Sequence, residues 1–248
     1  MQPRFLMRYL ALIAGAFFVC IGAQADSIAA GTFNISGTVF ITTSQMEFGL
    51  SSIPPPGDQQ AQIANGNSGA FASLTPGSTA TIENFFYSPF VTLPNWIQLP
   101  DGIDVNLGSL PVNSSVPLCT GTAADDTVGN SCRPSAMSPF VLTQDPNAVA
   151  LVFVTDGSAY SGPLAGGSTP ITGIFTSQFA GNEGTITKLL ANFAADQDIE
   201  NTYSATFNTV AVATTPEPST LVTSGSAALL AALLFLAQKK SWLRRNRF

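Results

Sequence analysis

Residues 203–213 have the sequence Tyr-Ser-Ala-Thr-Phe-Asn-Thr-Val-Ala-Val-Ala, which alternates between apolar and polar side chains over much of its length. Successive side chains of a β-strand point to opposite faces, so Tyr203, Ala205 and Phe207 would share one face and the intervening polar residues the other. This stretch therefore predicts a strand with one buried face and one solvated face.

A second apolar stretch, Ala148-Val-Ala-Leu-Val-Phe-Val154, lacks this alternation and favours a central strand that is covered on both faces. Other short runs rich in Phe, Val, Ile and Thr are separated by Gly, Pro, Ser and Asn, which is typical of strands joined by turns. The remaining predicted strands are Phe33–Thr43, Ala80–Phe86, Phe90–Leu93, Pro139–Thr143 and Ile171–Phe179. We expect a mainly β domain, built as a β-sandwich or jelly-roll-like stack.

Two segments depart from the strand pattern. Gly184–Phe193 has helical character because Leu189, Leu190 and Phe193 recur at helical spacing. Pro54-Pro55-Pro56-Gly57 and the following Asp58–Gly69 predict a long exposed loop, since Pro and Gly interrupt regular structure.

Charge is distributed very unevenly along the 248 residues. Between Asp26 and Thr215 there are fourteen acidic residues but only two basic ones, Arg133 and Lys188, giving this segment a net charge of −12. A nucleic-acid-binding domain needs a basic surface, so nucleic acid is excluded as a partner. The chain also has no histidine, which excludes Ser-His-Asp and Cys-His catalysis and histidine metal sites. We expect a non-enzymatic domain without a cofactor or metal.

The N-terminus has the pattern of a secretory signal peptide. Arg4 and Arg8 precede the apolar run Tyr9–Ile21, and Ala23 and Ala25 supply the small residues of a cleavage site. The run would give about 20 Å of helix, which is too short to cross a bilayer. We predict that residues 1–25 direct Sec-type export and are removed, rather than remaining as an anchor.

Cys20 suggests a lipoprotein as an alternative. The residues before it, Phe17-Phe18-Val19, are large, whereas lipoprotein processing requires small residues there. We therefore assign Cys20 to the apolar part of the signal.

Two cysteines remain after export, Cys119 and Cys132, and the residues between them are polar and turn-forming. In an oxidising compartment such a pair predicts a disulfide. Zinc is the alternative, but it would need two further ligands in a chain without histidine.

The C-terminal residues form three successive zones. Pro216-Glu217-Pro218 comes first, followed by the uncharged segment 221–237, which would form about 25 Å of helix, enough to cross a thin bilayer. The basic residues of the tail, 239–248, should stay on the cytoplasmic side by the positive-inside rule. They are Lys239, Lys240, Arg244, Arg245 and Arg247.

This arrangement of motif, helix and basic tail resembles the PEP-CTERM sorting signal, and the resemblance is confined to residues 216–248. It implies that an exosortase recognises Pro216, Glu217 and Pro218, cleaves nearby and releases or re-attaches the domain 26–215. It also implies a precursor tethered to the inner membrane and a mature protein at the cell surface or outside the cell. Proteins with this signal are linked to exopolysaccharide and biofilm matrix, so extracellular polysaccharide is an expected partner.

The residues themselves leave two other functions open. The first is carbohydrate binding through aromatic stacking by Trp96, with Tyr87 and Tyr160 as further candidates, although a tryptophan is more often a core residue. The second is a hydrolase that uses two carboxyl groups as acid and base.

Two acidic clusters could supply oxygen ligands to calcium, although neither matches the twelve-residue calcium loop. These clusters are Asp101, Asp104 and Asn106 in one, and Asp196, Asp198 and Glu200 in the other.

Overall fold

The computed structural model describes residues 28–50, 58–162, 167–195 and 199–210. Their thirteen strands pair antiparallel throughout, so the prediction of a mainly β domain is confirmed. The strands are β1 (Gly31–Ile41), β2 (Gln45–Gly49), β3 (Gln60–Ile63), β4 (Ser68–Gly69), β5 (Thr79–Ile82), β6 (Phe85–Phe86), β7 (Leu93–Gln98), β8 (Ile103–Ser109), β9 (Ser131–Cys132), β10 (Val141–Gln144), β11 (Ala148–Ser161), β12 (Thr169–Ala180) and β13 (Ile199–Thr209). A 3₁₀ turn at Gly181–Glu183 precedes one α-helix, α1 (Ile186–Ala194).

Eight of these strands close into a ring. Their order is β1, β3, β5, β7, β8, β11, β12 and β13, and β13 pairs again with β1. The remaining described strands are joined to the same sheet beside the ring. The prediction of a sandwich of two stacked sheets is therefore corrected, because the strands belong to one closed sheet.

The sheet closes at β11, which pairs with both β8 and β12 and also changes partner along its length. β11 pairs with β10 through residues 149–152 and with β8 through residues 156–161. The register with β8 shifts between Asp156 and Gly157, and such a bulge bends a strand. A Cβ atom on Gly157 would lie 2.0 Å from the carbonyl oxygen of Asn106, so the close approach of the two backbones requires glycine.

The alternating stretch at the end of the domain forms the strand that the sequence predicts. β13 starts four residues before Tyr203, and its residues Tyr203, Ala205 and Phe207 are buried as expected. It pairs with β1 over eleven positions, from Gly31 opposite Thr209 to Ile41 opposite Ile199. The described chain therefore begins and ends side by side.

Aromatic side chains fill much of the ring. Phe175 stacks on Phe153 at 4.5 Å between centroids and meets Trp96 at 5.7 Å, and Phe33 stacks on Phe207 at 4.6 Å. Fully burying a phenylalanine contributes roughly 1.5–3 kcal/mol. Burial of these rings therefore stabilises the closed sheet.

The stretch 148–154 is not covered on both faces, which corrects the prediction. Val149, Leu151 and Phe153 are buried, whereas the alternate residues 148, 150, 152 and 154 are only half-buried. Alanine and valine at these outward positions suit a pleated strand surface without a covering layer. The outward side chains are apolar, so hydropathy alone concealed the alternation.

Two local predictions also need correction, and one strand was missed. The predicted loop 58–69 contains β3, where Ala61 and Ile63 are buried because Gln60–Ile63 alternates over four residues. Phe90–Leu93 is not a strand: Tyr87 pairs with Phe90 across a tight turn, and β7 begins only at Leu93. β8 was not predicted at all.

The predicted helical segment 184–193 is confirmed as α1, with Ile186, Leu189 and Phe193 buried. No helix in residues 28–50, 58–162, 167–195 and 199–210 is both long and apolar enough to cross a membrane. The predicted membrane segment 221–237 lies outside the described residues.

Candidate functional site

The loop between β8 and β10 is closed by the predicted disulfide. Cys119 and Cys132 are bonded, with their Cα atoms 4.9 Å apart. This confirms the pairing that the polar spacer and the even cysteine count indicated.

A buried carboxylate organises this loop from within. Asp125 is only 6 % exposed and accepts hydrogen bonds from the backbone N–H groups of Thr120 and Gly121, both at 2.8 Å. Its other oxygen accepts from the Thr120 hydroxyl at 3.0 Å. Burying a carboxylate costs free energy unless it is hydrogen-bonded, and these donors meet that need.

Asp125 also lies beside the disulfide, which raises the question of a metal site. One ligand atom from each of Cys119, Asp125 and Cys132 lies within 4.8 Å of the others. The sulfur atoms are joined as a disulfide, so they are not the thiolates that bind zinc. Both Asp125 oxygens already accept hydrogen bonds, so the arrangement fits a capped loop and not a metal site.

The disulfide loop supports helix α1. Asp126 accepts a hydrogen bond from the backbone N–H of Thr187 at 2.8 Å, and the Thr187 hydroxyl donates to the carbonyl of Thr122 at 3.2 Å. Thr185 accepts from Lys188 N–H at 3.3 Å. These bonds satisfy N–H groups that a helix start leaves without an internal partner.

Gln144 completes this cap from β10. Its side-chain oxygen accepts from the N–H of Ile186 at 3.0 Å, while its nitrogen donates to the carbonyls of Ala148 and Gly184 at 3.1 and 3.0 Å. Gln144 is 3 % exposed, so these partners replace the water it has lost. The first turn of α1 is therefore fixed by side chains from two separate segments.

A groove of about 260 Å³ runs along the side of α1. Leu190 and Phe193 of the helix form one part of its lining, and Tyr87 and Phe140 form another. Hydroxyl-bearing residues from the loops after β1 and β9 also line it, namely Thr43, Ser135 and Ser138. No lining residue carries a carboxyl, amino or guanidinium group.

Tyr87 is the candidate aromatic that the structure places at this groove. Its hydroxyl donates to the carbonyl of Thr42, and its ring meets Phe140 edge-on at 4.7 Å between centroids. Burial raises the pKa of Tyr87 above its ordinary value, so the phenol is neutral at physiological pH. The hydrogen bond to Thr42 and the packing against Phe140 hold the ring of Tyr87 in one orientation.

Trp96 does not form the predicted sugar-stacking surface. It is 1 % exposed, its ring nitrogen donates to the carbonyl of Glu83 at 3.0 Å, and it packs edge-on to Phe85. It belongs to the core, as a tryptophan in an alternating strand commonly does. Tyr160 is also buried, and its hydroxyl donates to the side chain of Asn95.

The first acidic cluster is not assembled as a metal site. Asp101 accepts from the N–H of Ile103 and the hydroxyl of Ser73, both at 3.3 Å. Asn106 instead accepts from the N–H of Asn95 at 2.8 Å. Burial raises the pKa of the Asp104 carboxyl. Among the described residues, neither Asp101 nor Asp104 belongs to a group of three His, Cys, Asp or Glu side chains that could hold a metal ion.

Several predicted site residues lie outside the described residues. They are the signal-cleavage residues Ala23 and Ala25, the sorting residues Pro216, Glu217 and Pro218, the basic residues of the tail, and Asp196 and Asp198 of the second acidic cluster.

The groove itself was not predicted from sequence. Tyr87 was named, and Leu190 and Phe193 were recognised as helical, but Ser135 and Ser138 reach the groove from the loop that follows Cys132, which no pattern in the sequence marked. Comparison with family models, curated proteins and solved structures finds no match for this chain.

Proposed function

We propose that this chain is an exported protein of the cell surface or extracellular matrix that an exosortase sorts through its C-terminal signal. The observation that carries the proposal is the order Pro216-Glu217-Pro218, apolar segment 221–237 and basic tail. In this account residues 1–25 are a cleaved signal peptide and 221–237 holds the precursor in the inner membrane.

The described domain supports export in one respect. Disulfides persist in oxidising compartments outside the cytosol, and Cys119 and Cys132 are bonded. Asp125 and Asp126 tie the same loop to itself and to α1, so the bridge belongs to the packed domain.

We propose a non-enzymatic role, in association with exopolysaccharide or biofilm matrix. The groove is lined without a carboxyl group, so it offers neither the acid nor the base of a glycoside hydrolase. A carboxylate-dependent hydrolase therefore has no support at this position.

Carbohydrate binding is the second candidate function. The observation that favours it is the uncharged groove, where aromatic rings and hydroxyl groups lie together. Trp96, on which the sequence-based hypothesis depended, is not available for this role.

The sorting proposal is tested by replacing Pro216-Glu217-Pro218 with three alanines in a host that has an active exosortase. The wild-type domain should reach the surface or extracellular fraction, and the variant should accumulate in the inner membrane. Ser219→Ala with Thr220→Ala is the matched control, because it changes the next two residues and leaves the motif intact. Equal distribution of the wild type and the triple-alanine variant would contradict the proposal.

A further inference from the structure

We infer that the groove beside α1 binds a single neutral sugar ring. This inference rests on the proposed association with the extracellular matrix, which would supply the sugar. It adds a binding site to that proposal. The groove lies in a part of the chain that the sorting signal does not include.

The two kinds of lining residue match the two sides of a sugar ring. A pyranose presents C–H groups on its faces and hydroxyl groups around its rim. The groove offers the half-buried ring of Tyr87 and the half-buried aliphatic Leu190, together with hydroxyl groups. A mostly apolar pocket with a few placed polar groups is the usual composition of a small-molecule site.

Two serines retain hydrogen-bonding capacity toward the groove. The Ser135 hydroxyl has no hydrogen-bond partner within the described part of the chain, and Ser135 is exposed. Ser138 is 3 % exposed, and its oxygen accepts from the N–H of Phe140 at 3.1 Å, so its own proton is still available to donate. A sugar hydroxyl can use both groups.

Charge favours a neutral ligand. The segment 26–215 carries a net charge of −12, which repels polyanions, and the groove lining has no cation to offset it. The volume of about 260 Å³ lies below the range of roughly 300–1,000 Å³ that is typical of drug-sized ligands. One ring, and not a buried oligosaccharide, is therefore the expected occupant.

The elements that form the walls of the groove are held by hydrogen bonds within the domain. The Tyr87 hydroxyl is bonded to Thr42, and the first turn of α1 is capped by Asp126 and Gln144. Walls held in this way lose little conformational entropy on binding.

The groove lies far from the ends of the described chain. Thr43 follows the last residue of β1 by two positions, whereas Gly31, at the start of β1, pairs with Thr209 near the end of the described domain. The strand between these points spans roughly 30 Å at 3.3 Å per residue. The terminal segments of the described domain therefore leave the groove open.

The inference is tested by saturation-transfer difference NMR on the full chain in a zwitterionic, sugar-free detergent. The probes are the methyl glycosides of glucose, galactose, mannose and N-acetylglucosamine, with cyclohexanol as a ring that lacks the hydroxyl rim. Ala194→Trp places a large ring in the groove from an exposed lining position. Ala191→Trp is the matched control, exposed on the same helix but outside the lining.

We expect at least one glycoside to receive saturation from the wild type and from Ala191→Trp. Affinity should fall at least tenfold in Ala194→Trp, and roughly fivefold in Ser135→Ala for the loss of one neutral hydrogen bond. The inference is overturned if no glycoside binds, if both tryptophan variants bind equally, or if cyclohexanol binds as well as every glycoside.

These results separate the sugar site from the sorting proposal. A protein that loses its tail normally but binds no glycoside would refute the sugar site alone. A protein that binds a glycoside but keeps its tail would refute the sorting proposal alone.

Discussion

The carboxylate of Asp126 accepts a hydrogen bond from the backbone N–H of Thr187 at 2.8 Å, although the two residues are 61 positions apart. Asp126 lies in the loop that Cys119 and Cys132 close, and Thr187 lies in the first turn of α1. A covalent restraint in one segment thus supports the helix that lines the groove.

Removal of the Asp126 carboxylate should weaken the helix start. We expect Asp126→Ala to lower the free energy of unfolding by about 1 kcal/mol, the usual cost of a lost cap, and to speed amide exchange at Thr187. Asp156→Ala is the control, because Asp156 accepts a hydrogen bond from the exposed Thr172 hydroxyl and should change stability by less than about 0.5 kcal/mol. Equal losses in the two variants, measured by urea unfolding, would contradict this cap.

Removal of the disulfide should cost more than removal of the cap. We expect the double variant Cys119→Ser and Cys132→Ser to lose roughly 3 kcal/mol of stability, because a closed loop of this length restricts the unfolded chain. Amide exchange should also rise in α1, since the loop holds Thr187. Unfolding of the wild type measured with and without reductant also compares the bonded and reduced forms. An unchanged unfolding midpoint would refute the predicted stabilisation by the disulfide.

The buried Tyr203 and the half-buried Tyr87 should respond oppositely to loss of their hydroxyl groups. The Tyr203 hydroxyl is the one buried side-chain polar atom in the described residues without a hydrogen-bond partner, whereas Tyr87 donates to Thr42. Tyr203→Phe should therefore be neutral or stabilising by up to about 1–3 kcal/mol, and Tyr87→Phe should cost about 1 kcal/mol. Melting temperatures of both variants check this, and a stability loss in Tyr203→Phe as large as that in Tyr87→Phe would contradict it.

Because of Tyr203, we also expect the free energy of unfolding to decrease at alkaline pH. Burial, and secondly the Asp58 carboxylate, raise the pKa of Tyr203 above its ordinary value of about 10. Above that pH the unfolded chain loses a proton that the folded chain keeps, so stability falls with rising pH, by up to about 1.4 kcal/mol per unit. Below about pH 10 the contribution is complete.

Urea midpoints measured between about pH 9 and pH 11 test this dependence. The wild-type midpoint should fall over this range, and Tyr203→Phe should fall less steeply. Parallel curves for the two proteins would show that Tyr203 does not cause the decline.

The strict alternation in β13 predicted its buried face correctly, whereas the equally strict alternation of residues 103–107 in β8 was overlooked. Tyr203, Ala205 and Phe207 are buried as predicted, because the intervening residues are polar and mark the solvent face. In residues 148–154 the outward side chains are Ala and Val, so apolar residues on both faces concealed a half-exposed strand. β3 was missed because only four residues carry its alternation.

Contacts between residues that are far apart in the sequence could not be predicted from local sequence patterns. The closed order of the strands requires β11 to pair with both β8 and β12, and the register with β8 shifts at Gly157; no local periodicity records either feature. The groove joins Tyr87, Ser135 and Leu190 from three separate segments. The disulfide was predicted from the pair of cysteines, their polar spacer and the expected oxidising compartment, whereas Asp126 gave no sign that it caps a helix.

The most direct test of the central claim is C-terminal mass mapping of the protein recovered from a host with an active exosortase. The sorting account predicts a surface or extracellular form that begins near Asp26 and ends near Pro216-Glu217-Pro218, without the segment 221–237 or the basic tail. Recovery of the full-length protein in the inner membrane, with residues 239–248 intact, would contradict it.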